Sequence, residues 1–455
     1  MIITKHDVLW NYGATFLKIA SSIIILPLIL KMMPPETVGI WTVFTTITTF
    51  ANLLDFGFNP SFARNVTYVF SGVKELNVNG FEKIDSCGTV EVNYGLLKGV
   101  ISAMKWIYLR MALVLLVILS TVGTYYMYTI LQHYKGDTRE VYIAWALLCI
   151  INTYNLFTLY YDSLLQGKGL VKRSKQIIII GYVVYLAIAM LFILLGFGLI
   201  AIVTAQISST IIIRILSHRA FFTAEMKENL AHSVPRDKKQ ILDIIYPNAL
   251  KVGLTSLGGF VIQKSSMIIG ALYLSLENIA SYGISMQFIA VISSLASIYL
   301  ATFIPKIVHL RVMEDIRAIR RIYLQGELVL ILSYVIGGGM FLLIGPFLLH
   351  LIGSRTQLMP LGLLALALLL SFVETNLSNA GNILLTKNDV PFFVSSLVSG
   401  VFIIVGLFIS LRYMQAGLIA ILVVPLAVNL FYQGWKWPVE VMKDLKVDML
   451  GLFKK

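Results

Sequence analysis

The sequence predicts an all-α, polytopic integral membrane protein of about twelve transmembrane helices, arranged as two pseudo-symmetric six-helix bundles around a central cavity. Three observations lead there. The 455 residues are 58% hydrophobic and only 13% charged, with a mean hydropathy of +0.84, beyond what a soluble domain with a charged surface carries. Apolar runs of about 20 residues, the length a helix needs to cross roughly 30 Å of hydrocarbon, recur along the whole chain. Short motifs also return in the same order in the second half, and polar residues fall in helical stripes within the apolar runs.

The spans read in order as 9–31, 38–58, 106–131, 141–166, 176–196, 198–217, 243–272, 278–304, 323–350, 358–385, 391–411 and 415–435. The first begins behind the single Lys5, lacks a small-x-small cleavage site and is followed at once by another span, so it is a retained helix. A polar loop, 71–101, separates the second and third spans. Residues 1–217 form an N-terminal lobe, 218–239 a basic cytoplasmic linker, 240–435 a C-terminal lobe and 436–455 an amphipathic tail. In the tail Met442, Leu445, Met449 and Leu452 share one helical face, which predicts that it lies along the membrane surface, with Trp435 and Trp437 in the aromatic belt.

Orientation follows from positive charge. With both termini cytoplasmic, the inward segments hold most of the 36 lysines and arginines, whereas the outward ones have only Lys31, Lys135, Arg139, Arg355 and Arg412. The same distribution explains the net charge of +13 by headgroup attraction, without nucleic acid. Cys87 and Cys149 are too few for a disulfide framework, and the six histidines lack zinc spacing, so neither metal nor cofactor is expected.

Internal duplication rests on GAT at 13–15 against GLT at 253–255, ETVGIW from Glu36 against ENIASY from Glu277, VILS from Val117 against LILS from Leu330, and LLQGKG from Leu164 against LLTKND from Leu384. Constant order across both halves is the mark of paired repeats.

Ionisable groups inside the bilayer cost roughly 2.5–3.5 kcal/mol each on insertion scales, so their positions ask for a reason. Asn11, Thr15, Lys18 and Ser22 make one stripe on the first helix; Asn248, Lys251 and Thr255 make another on the seventh, with Lys264 deeper. Lys18 sits about 14 Å from Leu9 by helix rise, too deep to snorkel with ease, and is assigned to the cavity. Lys251 and Lys264 divide evenly between a cavity role and snorkelling or an acid partner. The second helix adds Thr42, Thr45, Thr49 and Asn52, and the tenth adds Ser371, Glu374, Ser378 and Asn382. Glu374 reads as partner to a cavity lysine, with protonatable coupling as the alternative. Asp162 reads as pairing with Lys168 or the other lobe. Four lysine and arginine candidates, Lys18, Lys251, Lys264 and Arg110 (the last read as snorkelling from near the membrane edge), stand against few buried acids, which favours an anionic substrate.

GIW at 39–41, LLDFGF at 53–58 with Arg64 after it, and LLQGKG at 164–169 resemble the Wzx-type polysaccharide flippases of the multidrug/oligosaccharidyl-lipid/polysaccharide exporter superfamily. The resemblance covers nearly the whole chain through hydropathy, length and short degenerate motifs. It implies two six-helix bundles about a V-shaped cavity. It further implies movement of an undecaprenyl-pyrophosphate-linked oligosaccharide across a bacterial inner membrane by alternating access, for surface polysaccharide, O-antigen or capsule synthesis. Its partners would be the lipid-linked oligosaccharide, membrane lipids, and a polymerase and glycosyltransferases. The segment 74–95 exceeds the family's usual connection, and reads either as a contact for a biosynthetic partner or as disordered chain.

The competing classes are a multidrug exporter of the same superfamily, a membrane glycan polymerase or ligase, and a scaffold. A cation exporter would have buried acids outnumber lysines, a polymerase would need a large outward loop, and a scaffold would have no use for costly intramembrane lysines. In LLDFGFNPSFARNV, residues 53–66, Asp55 and Arg64 are expected to form a cytoplasmic gate without pairing: Asp55 in the cavity mouth, Arg64 on the headgroups, with the helix interrupted by Asn59-Pro60.

Overall fold

Helix dominates because apolar backbone placed in lipid must satisfy its own hydrogen bonds. The computed structural model describes residues 10, 17, 21, 24–73, 75–77, 80, 81, 92–132, 134–387 and 391–447, without the side chains at 77, 80, 81, 247, 248, 251, 252, 255, 305, 309 and 312. The predicted span 9–31 and the tail 436–455 are therefore only partly within it.

Helix α1 covers residues 24–32. It is followed by α2 (Pro35–Leu53), α3 (Phe58–Phe70), α4 (Tyr94–Leu131), α5 (Thr138–Phe157), α6 (Tyr160–Gly167), α7 (Val171–Leu194), α8 (Gly198–Phe221), α9 (Ala224–His232) and α10 (Lys238–Tyr273). Then come α11 (Leu276–Val312), α12 (Ile316–Leu351), α13 (Leu361–Leu385), α14 (Phe393–Arg412) and α15 (Gly417–Asp444). Single π turns interrupt α4 at Leu119–Gly123, α12 at Ser333–Gly338 and α15 at Asn429–Gln433. Among the described residues, nine helical segments are long and apolar enough to cross a membrane, ten when α2 and α3, bent by 42°, count as one span.

The chain divides into two compact units: residues 1–33 with 44–256, and residues 34–43 with 257–455. The division falls inside α10. Asn248 and Lys251 lie on the stretch that groups with the first unit, and Lys264 on the stretch that groups with the second.

In the first unit α7 packs along α8, α3 along α6, and α5 against α4 and α8. Gly167, the first glycine of LLQGKG, permits the α3–α6 approach: a Cβ there would come within 2.7 Å of the Ala63 carbonyl and collide with Val66. Gly169 then turns the chain with φ +83°. Glu140 secures the start of α8, its Oε1 accepting from Leu199 N–H at 2.7 Å. In the second unit, buried residues of α11, α12, α13 and α15, including Ile307, Tyr323, Ala380, Trp437 and Val441, form one core. Asp444 ties its polar end, bonded to Arg311 at 2.5 Å and to Lys387.

Four sequence expectations change. The second span ends at Leu53, not residue 58, because Phe56 and Gly57 take φ of +47° and +72° and turn the chain. Pro60 falls in the first turn of α3, where a missing N–H costs nothing, so it starts a helix instead of breaking one. The loop 71–101 is shorter, since α4 begins at Tyr94 behind Asn93, whose side chain accepts from Leu96 N–H at 2.9 Å; the Leu76–Asn77 and Gly80–Phe81 strands pair antiparallel within what remains. The described part of the tail continues α15, and Trp437, Val441 and Leu445 are buried in the core of their unit instead of resting on a membrane surface. Met449 and Leu452 lie outside the described residues.

Candidate functional site

The turn between α2 and α3 builds the first polar centre. Asp55 stands just before α3, and both carboxylate oxygens accept from the Asn59 N–H at 3.1 Å, the arrangement that satisfies a helix N-terminus. The Tyr108 hydroxyl, on the fully buried face of α4, donates to Asp55 Oδ1 at 2.6 Å. Ser163 on α6 donates to Asn59 Oδ1 at 2.5 Å and to the Asn59 carbonyl at 3.1 Å. Arg64, two turns into α3, is exposed. Asp55 is thus held by a tyrosine and a helix end, independently of Arg64.

The neighbouring residue on α6 opens a second chain of contacts. Asp162 Oδ1 accepts from Arg214 Nη1 at 2.8 Å, and Arg214 Nη2 donates to Asn155 Oδ1 at 2.8 Å. Asn155 Nδ2 in turn donates to Asn52 Oδ1 at 3.2 Å. Arg214 is 5% exposed, so its charge is compensated inside the first unit. The partner expected for Asp162 was Lys168 or the other lobe; the structure replaces both with Arg214. Lys168 instead stands 5.9 Å and 5.5 Å from the Phe70 and Phe221 ring centroids, at the polar turn between α6 and α7. Burial there holds its ammonium below the usual lysine range, with Glu225 pulling the other way.

In the second unit Lys264 on α10 and Glu374 on α13 are half-buried electrostatic partners. The Tyr334 hydroxyl shares hydrogen bonds of 2.8 Å with Ser293 and with Ser371 and Thr375, the latter two close to Glu374 in sequence, which joins α11, the π turn of α12 and α13. A further acid, Glu327 on α12, lies beside Tyr323.

Of the residues singled out in the sequence, Asn52 and Asp162 are brought into one network, Asp55 anchors the adjoining one, and Lys264 faces Glu374. Arg64 stands apart. Asn11, Thr15 and Lys18 lie outside the described residues, as do the side chains of Asn248 and Lys251. Sequence reasoning missed Arg214, Asn155, Tyr108 and Glu327. Arg214 lies near the end of the expected span 198–217, whereas α8 runs on to Phe221. The i, i+7 spacing of Asn155 and Asp162 would have placed both on one face and asked for a donor. Among the described residues no cluster of three or more His, Cys, Asp or Glu is suited to a metal ion.

No protein-family model matches the sequence, and no curated protein does. Solved structures do. An inward-facing multidrug resistance MATE family transporter of the MOP superfamily superposes with a TM-score of 0.70 at 15% identity, over 96% of each chain. The lipid II flippase MurJ in an inward closed conformation gives 0.60 at 13%, over 98% of this chain and 93% of that one. A MOP superfamily transporter from Pyrococcus furiosus Vc1, described as having a binding pocket of reversed polarity, gives 0.53 at 16%, over 97% and 95%. At these identities the likeness establishes the fold alone, one shared with these transporters and this flippase, in a multi-pass membrane chain.

Proposed function

We propose that this chain is a transporter that moves a lipid-linked, anionic glycan, of the undecaprenyl-pyrophosphate class, from one leaflet of a bacterial inner membrane to the other by alternating access. The observation that carries the reading is the state of the intramembrane acids. Asp55 is spent on Tyr108 and the start of α3, Asp162 on Arg214, and Glu374 faces Lys264. Three of the acids that a cationic substrate would use are thereby engaged within their own unit. Lys18 and Lys251 are then the charges a pyrophosphate would meet, with Lys264 shared with Glu374. Neutral hydroxyls and amides, of which Asn52, Asn11, Thr15 and Asn248 are the candidates, would replace the hydration of sugars. Asp55 and Arg64 are assigned to gating on the cytoplasmic side, Glu374 and Asp162 to holding charge in place.

The fold is shared with a multidrug transporter and with a lipid II flippase, so fold does not select the substrate. Multidrug export is the second reading, since a multidrug resistance MATE family transporter shares this fold. The solved structures it resembles are transporters and a flippase, which supports transport over a polymerase or ligase. Lys18→Ala decides whether the lysines serve transport: glycan export falls while the protein reaches the membrane at its normal level. Export at the wild-type rate removes Lys18 from the site.

A further inference from the structure

Helices α14 and α15 of the second unit enclose a groove of about 900 Å³ that takes no part in the networks above. At one end the helices touch where Gly406 meets Val424: a Cβ on Gly406 would lie 2.8 Å from Val424 Cγ1. Toward the other end Gln433 bridges them, Nε2 donating to the Ser395 carbonyl at 3.3 Å. The walls between are apolar, with Val398, Phe402, Val423 and Phe431 open to the outside; Phe402 is 61% exposed and Phe431 83%. From Val423 to Lys436 the groove follows about 20 Å of helix.

Its polarity is confined to that second end. Lys436 lines the groove there, hydrogen-bonded to the Tyr432 hydroxyl, its Nζ 4.4 Å from the Tyr432 ring centroid and 4.8 Å from that of Trp437. Tyr432 and the exposed Trp435 mark this as headgroup level, where aromatic side chains collect. The π turn Asn429–Gln433 lies between the apolar and charged parts, and such turns concentrate at functional positions. A long apolar slot with one cation at its interfacial end is complementary, along its length, to a hydrocarbon chain bearing an anionic head. A neutral small molecule would leave the cation unused, and loosely held lipid needs no slot.

We propose that this groove binds one membrane phospholipid with an anionic headgroup, its acyl chain lying along Phe402 and Val423 and its phosphate meeting Lys436. The site is separate from the residues assigned to transport, and its test reads lipid binding without transport. Full-length protein, delipidated in detergent, is titrated with phosphatidylglycerol or phosphatidylcholine and examined by native mass spectrometry. One phosphatidylglycerol per chain is retained in preference to phosphatidylcholine. Lys436→Gln weakens phosphatidylglycerol retention about fivefold and leaves phosphatidylcholine unchanged, the effect of one lysine at a membrane surface. Val398→Trp, which fills the slot, removes the bound lipid. Equal retention of the two lipids by the wild-type protein overturns the proposal, as does undiminished phosphatidylglycerol binding by Lys436→Gln. Those two readouts stand if Val398→Trp fails to fold.

Discussion

Arg214 is the charge whose loss of a partner should be felt most, because its guanidinium is 5% exposed and both its terminal nitrogens are committed, to Asp162 and to Asn155 at 2.8 Å each. Asp162→Ala leaves the arginine buried beside Asn155 alone. Breaking a fully buried ion pair costs roughly 3–5 kcal/mol. The Asp162 side chain is 26% exposed, which lets water reach part of the pair, so about 2–3 kcal/mol is the better expectation. For a domain of this size that lowers the thermal midpoint by roughly 4–12 °C. The assay is thermal unfolding of the detergent-purified protein, followed by tryptophan fluorescence and by the surviving monodisperse fraction. The control is the double change Asp162→Leu with Arg214→Met, which removes both charges and keeps the volume filled. Apolar replacement of a whole buried pair is close to neutral, so the double variant should recover most of the lost stability. A single Asp162→Ala variant as stable as wild type, or a double variant worse than the sum of the singles, refutes the reasoning.

Tyr108→Phe deletes the 2.6 Å hydrogen bond from a buried tyrosine to the half-buried Asp55, and should destabilise by about 1.5–3 kcal/mol in the same unfolding assay, with the Asn59 contact to Asp55 retained. Orientation is open to direct labelling in intact cells: a cysteine placed at the exposed position of Gly136 reacts with an impermeant thiol reagent applied from outside, while Cys87 does not. Labelling of Cys87 from outside would reverse the expected topology.

Composition and span length made the helical membrane fold legible, since lipid allows few ways to satisfy a backbone and each leaves a long apolar run. The break at Phe56-Gly57 was not legible, because the sequence offers a proline four residues later as the more obvious interruption, and only the left-handed φ values show where the turn is made. Asp55 and Asp162 stood out as acids in an apolar context, but their partners did not. Tyr108 and Arg214 sit 53 and 52 residues away in the chain, brought close only by tertiary packing of α4 and α8. The buried end of α15 was misread for the opposite reason. The sequence puts Met442, Leu445, Met449 and Leu452 on one apolar face, and the same pattern serves a membrane surface and a protein core, where Leu445 is buried with Trp437 and Val441.

The measurement that bears most directly on the proposed function is leaflet crossing in vesicles containing the purified protein. Undecaprenyl-pyrophosphate-linked oligosaccharide is placed in both leaflets and its accessibility to an impermeant sugar-modifying enzyme is followed, in parallel with uptake of a cationic dye under an imposed proton or sodium gradient. The account predicts that the protein renders the inner-leaflet glycan accessible and leaves dye uptake at the level of protein-free vesicles. Gradient-driven dye uptake with no change in glycan accessibility would contradict it, and would make multidrug export the function of this fold.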